Sequence, residues 1–328
     1  MERDKSLDVA KGFGILLVVI GHGYSGLTNM EQLICGFHMP FFFIVTGILY
    51  GKKGNCFQFK WKKKIKELIV PYVIWEGMWC LVLSILNLRN ADWSVREFLI
   101  KTITLKGNIA TWYLPCLFLA EALFFFLSNL KSNIKYILII VCFAIGLLLP
   151  ESFNNMGLLF LRPLVGLGFL SLGYYGKSLF QKKCSKTCYI LILSIYIVVT
   201  LNNGLILFYI RKFNNIVLFL GASVIGSYLS LVLCKYITDK SVIAAISSKL
   251  SYWGKNSLTI MCSHMFVIEL IRLFDYKFFG EIFTKLGELE GIILAIPIML
   301  VCEIIIPIIN RYFAFFVGRK NRCVIKGR

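Results

Sequence analysis

Three histidines, His22, His38 and His264, are the side chains in this sequence best suited to move protons at neutral pH. No other histidine occurs among the 328 residues. All three lie in apolar stretches that predict membrane helices, where an ionisable group is costly unless it is paired. Their positions therefore mark them as candidate functional residues.

The first apolar stretch carries two further ionisable residues. Asp8 and Lys11 are three residues apart, so they share one face of a helix near its predicted cytoplasmic end. His22 follows Lys11 by close to three helical turns, a rise of about 16 Å, so the two side chains face nearly the same way. For Asp8 and Lys11 the alternative is an interfacial ion pair. For His22 it is an interhelical hydrogen bond, with glycines at 21 and 23 allowing close helix approach.

Other ionisable residues lie in later apolar stretches. His38 precedes Pro40, which is predicted to disturb the second helix, and it should lie near His22 across a short outer loop. Glu121 lies inside the fourth stretch, and Arg162 lies at the outer end of the sixth. A cation near the cytoplasm with a base deeper in the membrane suits transfer from a phosphorylated donor to a nucleophile. The same groups could form the proton relay of a transporter, so this chemistry alone leaves both functions open.

The composition indicates which elements must position these residues. Hydrophobic residues make up 58% of the chain and charged residues 16%, whereas a soluble domain is about 25% charged. Apolar stretches long enough to cross a bilayer recur from end to end. We therefore predict an all-α, polytopic integral membrane helical bundle of about ten transmembrane helices. The predicted spans are approximately 6–25, 33–50, 68–87, 110–128, 136–150, 157–175, 187–203, 215–234, 256–272 and 291–310.

The net charge of +19 follows membrane topology and does not indicate a nucleic-acid partner. With the N-terminus inside, 26 Lys and Arg residues fall on the predicted cytoplasmic side and 9 on the outer side. This bias is typical of an inner or plasma membrane protein and predicts that both termini are cytoplasmic. The cytoplasmic loop 51–66 carries seven lysines and no acidic residue. It is either a topology anchor on anionic membrane lipids or a docking patch for a phosphorylated ligand.

The remaining sequence features limit the domain organisation. The eleven cysteines are scattered and form no CxxC motif, so we expect free thiols, no metal site and no permanently bound cofactor. No polar segment is long enough to hold its own core, and residues 1–328 are predicted to form a single membrane domain. The sequence does not determine the oligomeric state, and a homo-oligomer is one of the possibilities.

Several motifs resemble the membrane-bound acyltransferase-3 family, in particular its fucose 4-O-acetylase-like sugar O-acetyltransferases. KSLDVAKGFGILLVVIGH (Lys5–His22) and FHMPFFFIVTG (Phe37–Gly47) are similar to the family's first two spans. The family's later motifs are matched in the same order by WYLPCLFLAE (112–121), FLSLGYYGKSL (169–179) and LSYWGKNSLTIMCSH (250–264). Lys11 stands where many relatives carry arginine, so it cannot bind a phosphate in a bidentate manner.

The resemblance implies transfer of an acyl group, most simply acetyl from acetyl-CoA, to a hydroxyl of a cell-surface polysaccharide or lipid-linked glycan in a bacterial cell membrane. His22 would be the general base or a transient acyl carrier. Asp8 and Lys11 would organise the donor entrance. His38, Glu121 and His264 would orient His22 or line the acceptor side, and Arg162 would bind the acceptor.

The remaining assignments place donor and acceptor contacts. Lys60, Lys63 and Lys64 would help to capture CoA. Asn256 and Ser257 would bind the donor or cap the ninth span. Trp112 and Tyr113 would stack on a sugar ring, or form an interfacial aromatic belt. Two other functions remain open, a glycan or acyl-donor transporter and a structural partner in polysaccharide assembly.

Overall fold

A computed structural model describes residues 4–52, 59–86, 99–100, 102–108, 110–150, 153–182 and 184–319. Within these ranges there is no β-strand, and one isolated antiparallel bridge joins Leu207 to Lys212. Parts of the lysine-rich loop 51–66 and of the outer loop 88–109 lie outside the described residues. The prediction of an all-α membrane helical bundle is confirmed.

Nine of the ten predicted spans each overlap one long helix, and the second is divided between two helices. Five helical segments are long and apolar enough to cross a membrane by length and composition. In chain order, the helices are α1 (Lys5–His22), α2 (Asn29–Cys35), α3 (His38–Lys52), α4 (Val70–Leu86), α5 (Tyr113–Ser128), α6 (Ser132–Leu148), α7 (Asn154–Tyr175), α8 (Lys186–Asn203), α9 (Ile216–Asp239), α10 (Ala244–Lys255), α11 (Ser257–Phe279) and α12 (Glu290–Tyr312).

Helix α1 lies at the centre of the bundle and contacts α3, α9, α10, α11 and α12. Asp4 caps its N-terminus, because one carboxylate oxygen accepts the backbone N–H of Ser6 at 2.9 Å. The other oxygen lies 2.5 Å from the Lys52 ammonium at the end of α3. The start of α1 is therefore fixed both along its own axis and against α3.

The closest contact of α1 is with α10, a helix that the sequence analysis did not predict. The segment 235–255 falls between two predicted spans, on the predicted cytoplasmic side. A Cβ at Gly12 would lie 1.8 Å from the Leu250 carbonyl oxygen, and one at Gly254 would lie 1.8 Å from the Asp8 carbonyl oxygen. The two glycines thus bring the backbones of α1 and α10 into direct contact.

The second predicted span contains a break, but Pro40 does not cause it. The regular hydrogen-bond pattern is interrupted at Gly36 and Phe37, between α2 and α3, where the Phe37 N–H bonds to the Ile34 carbonyl at 3.3 Å although Gly36 keeps right-handed helical dihedrals. Pro40 lies in the first turn of α3, where its missing N–H costs nothing. His38 is the first residue of α3, within the helical segment Asn29–Lys52 that is long and apolar enough to cross a membrane.

The approach to α4 also departs from regular helix. A short turn, Trp61–Lys64, leads into a π-helical turn, Ile65–Ile69, in which the Val70 N–H bonds to the Ile65 carbonyl. The turn contains one more residue than an α-helical turn. Gly318 packs against it, and a Cβ there would lie 2.3 Å from the Lys66 carbonyl oxygen.

Candidate active site

A cavity of about 180 Å³ lies among α1, α3, α5 and α11. Lys11 and His22 both line it, so the prediction that they face the same way is confirmed. Apolar side chains fill most of the wall between them, including Ile15, Val18 and Met261. A cation and an imidazole, about three helical turns apart along α1, therefore face one largely apolar cavity.

The end of α1 is held firmly beside the cavity. His22 is its last helical residue, and Gly23 lies against α12, where an added Cβ would be 2.8 Å from the Gly291 Cα. Arg272 on α11 donates to the Gly23 carbonyl at 3.1 Å. A cation at the C-terminus of a helix is favourable, because the last carbonyls carry partial negative charge. Arg272 and Gly291 thus position His22 through its backbone.

The histidine in ring contact with His22 is His264. The two ring centroids are 5.3 Å apart with an interplanar angle of 43°. His38, the neighbour expected from the sequence, lies within electrostatic range of His22 on α3. Its Nδ1 is bonded to the Ile34 carbonyl at 2.9 Å. The fold therefore brings all three histidines to one region, with His264 in closest ring contact with His22.

The Lys11 end of the cavity is lined by Ser257 and Leu68. Asp8 is buried one turn before Lys11, where α1 packs on α10. Asn256 does not cap α11 with its side chain, which contradicts the capping interpretation. Its amide oxygen instead accepts bonds from Asn310 at 3.0 Å and Arg319 at 3.2 Å, because the chain after α12 folds back against this point.

The three lysines of the predicted donor patch have different surroundings. Lys64 lies 2.7 Å from Glu121, which is 1% exposed, and 2.5 Å from the Tyr50 hydroxyl. Tyr50 also donates to Glu121, so Glu121 pairs with Lys64 and Tyr50 and not with His22. Lys63 makes an exposed ion pair with Glu67 at 3.7 Å. Lys60 is exposed at the start of the turn that carries the other two lysines.

Trp112 and Tyr113 line the cavity together with Ala110. Both aromatic side chains are buried, so the aromatic-belt interpretation is wrong for them. The Arg162 guanidinium lies over the Trp112 ring, 5.2 Å from its centroid, and Phe208 stacks on the same ring at 5.6 Å. The Trp112 ring is thereby held between a cation and a second aromatic ring.

The segment before Trp112 is fixed by two buried charged residues from different helices. Arg162 on α7 donates to the Lys106 carbonyl at 2.9 Å. Glu76 on α4 accepts the Asn108 backbone N–H at 2.9 Å and the Thr111 hydroxyl. Both charges thus support the cavity wall, since the chain they hold leads directly into α5.

Some residues around the site were not given roles from the sequence. These are Tyr50, which bridges Lys64 and Glu121, Glu76, which supports the segment before Trp112, and Arg272, which holds the end of α1. Glu76 and Arg272 carried a detectable signal, because each is an ionisable residue within an apolar span. Tyr50 carried none, since tyrosine is common in membrane helices.

Comparison with known proteins identifies the class of protein. A family model described as an acyltransferase domain matches residues 4–309, nearly the whole described bundle. Comparisons with curated proteins and with solved structures gave no match. The protein is a multi-pass membrane acyltransferase, and the chain belongs to the membrane-bound acyltransferase-3 family.

Proposed function

We propose that the protein transfers an acetyl group from cytoplasmic acetyl-CoA to a hydroxyl of a cell-surface polysaccharide or lipid-linked glycan. The observation that carries the proposal is the single cavity that both Lys11 and His22 line. Acetyl-CoA enters at the Lys11 end, where the ammonium attracts its phosphates. The acceptor reaches the His22 end, beside Trp112 and Tyr113, which line the cavity. The protein acts as one domain in a bacterial inner or plasma membrane.

In the proposed reaction His22 is the general base. An unprotonated ring nitrogen of His22 takes the proton of the acceptor hydroxyl, and the hydroxyl oxygen attacks the thioester carbonyl carbon. The carbon–sulfur bond breaks, and the CoA thiolate takes the proton from His22. The products are an O-acetyl ester and CoA with a free thiol, and the enzyme returns to its starting protonation state.

The test uses purified protein in lipid nanodiscs with acetyl-CoA, isolated surface polysaccharide and a thiol reagent. Wild type should release free thiol and acetylate the polysaccharide. His22→Ala should lower the rate by about 10²- to 10⁴-fold, as expected for loss of a general base. Gly26→Ala is the matched control, because no atom lies within 4 Å of a Cβ added there. A folded His22→Ala variant with wild-type rates would remove His22 from the mechanism.

Lys11→Ala tests the donor end separately. Loss of a hydrogen bond to a charged phosphate is worth about 1.5–3 kcal/mol, so the KM for acetyl-CoA should rise about 10- to 100-fold. An unchanged dependence on acetyl-CoA would refute the proposed position of the donor. A transporter would move substrate without releasing thiol, so the same assay separates the two functions.

A further inference from the structure

His264 on α11 has an unusual hydrogen-bonding state. Its side chain is 0% exposed, and its Nδ1 lies 3.0 Å from the Ile260 carbonyl oxygen. A carbonyl can only accept, so Nδ1 carries the proton and Nε2 of the neutral ring presents a lone pair. Among the described residues, Nε2 has no hydrogen-bond partner. A buried acceptor without a partner costs free energy and calls for an explanation.

His22 is the neighbour that can supply the missing proton. The ring atoms of an imidazole lie about 1.2 Å from its centroid, so a centroid separation of 5.3 Å lets two facing nitrogens approach to about 3 Å. Because Nε2 of His264 has no partner among the described residues, forming this contact requires the His22 ring to turn toward it. Neutral His22 has one N–H and one lone pair. If the N–H points to His264, the lone pair points elsewhere.

Of the titratable groups that act on His22, only the two other histidines can accept a hydrogen bond. The titratable groups that act on it are His264 and Arg272 from α11 and His38 from α3. Arg272 is a donor only, and it donates to the Gly23 carbonyl. From α12, Glu290 accepts the backbone N–H and hydroxyl of Ser25 at 2.9 and 2.8 Å through one oxygen. Its other oxygen, Oε1, has no hydrogen-bond partner among the described residues, but Glu290 is not one of the groups that act on His22. The carboxylate that usually orients a catalytic histidine is thus replaced near His22 by an imidazole.

We propose that His264 is a positioning residue whose Nε2 accepts the N–H of His22 and so fixes the His22 tautomer. The second His22 nitrogen then keeps its lone pair and faces the cavity, which His22 lines. This inference rests on the proposed function, because it assigns the orientation of the proposed base. When His22 takes the acceptor proton, the resulting imidazolium keeps its hydrogen bond to His264, which stabilises the positive charge until CoA thiolate removes the proton.

Two substitutions of His264 separate positioning from packing. Glutamine places an amide oxygen near the position of Nε2 and keeps an acceptor there, whereas asparagine ends near Nδ1 and leaves none. His264→Asn should lower kcat about 10- to 100-fold with an unchanged KM for acetyl-CoA. His264→Gln should recover most of that loss. Equal loss in both variants, or no loss in His264→Asn, would overturn the inference.

A spectroscopic measurement tests the same inference without reference to activity. The chain contains three histidines, so selective ¹⁵N-histidine labelling gives few signals, each assignable by a single substitution. His22 should show one neutral tautomer in the wild-type protein and a mixture of the two in His264→Asn. His38→Asn is the matched control, since His38 also binds a carbonyl through Nδ1, and it should leave the His22 tautomer unchanged.

The two measurements distinguish the possible failures. If wild type transfers no acyl group while the His22 tautomer depends on His264, the proposed function fails and the positioning contact stands. If wild type is active but the His22 signals are the same in wild type and His264→Asn, the positioning role fails and the proposed function stands.

Discussion

Gly12 provides a direct test of how the fold positions the candidate site, because it lies next to Lys11 on the helix that also carries His22. In Gly12→Ala the new Cβ would lie 1.8 Å from the Leu250 carbonyl oxygen of α10. A close carbon–oxygen contact is about 3.3 Å, so α1 and α10 must separate by about 1.5 Å. The obstacle is backbone on a packed helix, so a side-chain rotation cannot remove it.

The expected magnitudes follow from that displacement. Overpacking a helix contact costs about 1–3 kcal/mol of folding free energy, which leaves most of the protein folded. A misplacement of about 1 Å at a catalytic group can lower the rate about 100-fold. Gly12→Ala should therefore lose about 100-fold in kcat/KM while its thermal midpoint falls only modestly. The assay is thiol release from acetyl-CoA in nanodiscs, with unfolding followed by fluorescence in the same preparation.

Gly77→Ala is the matched control. It lies within α4, and no atom lies within 4 Å of a Cβ added there, so we expect unchanged activity and a gain of up to about 1 kcal/mol from higher helix propensity. Gly254→Ala disturbs the same α1–α10 contact from the other side and should resemble Gly12→Ala. Wild-type activity in Gly12→Ala at wild-type stability would refute the view that this backbone contact sets the position of Lys11 and His22.

Three further predictions concern other supports of the site. Lys64→Met leaves the buried Glu121 carboxylate without its cation and should cost about 3–5 kcal/mol of unfolding free energy. The double variant Lys64→Met/Glu121→Gln should recover most of that loss, and additive losses in the double variant would contradict a direct ion pair. Gly107→Ala should sharply reduce acceptor use, because Gly107 has φ +66° and an added Cβ would lie 2.6 Å from the Trp112 Cα, and an unchanged acceptor KM would refute this role. Burial raises the pKa of Asp4, but hydrogen bonds from Lys52 and Ser6 lower the pKa by more, so it lies below its ordinary value. That stabilisation is present above the unfolded-state pKa and is lost as pH falls through the folded-state pKa, so the thermal midpoints of wild type and Asp4→Asn should differ at pH 7 and converge below about pH 4; a constant difference would refute the linkage.

The sequence was sufficient to predict the spans and the alignment of Lys11 with His22. Hydropathy identifies membrane helices because lipid demands long apolar segments, and helical periodicity fixes which residues of one helix share a face. Helix α10 was not predictable in this way, because it is short and packs at the end of the bundle. The Lys64–Glu121 pair and the His22–His264 contact each join residues far apart in the chain, so helix periodicity could not reveal them.

The π-helical turn at Ile65–Ile69 accommodates one residue more than an α-helical turn, because the Val70 N–H bonds to the Ile65 carbonyl. Removing a single residue from this turn would turn it into an α-helical turn and leave the rest of α4 facing nearly as it does now. Removing one residue from the regular helix after it, such as Val73, would instead rotate the rest of α4 by about 100°. Glu76 would then leave the Asn108 backbone that it now holds, and Trp75 would lose its bond to the Phe316 carbonyl at 3.0 Å. A one-residue deletion within the π-helical turn should therefore be tolerated far better than deletion of Val73, which would turn the buried face of α4 toward lipid.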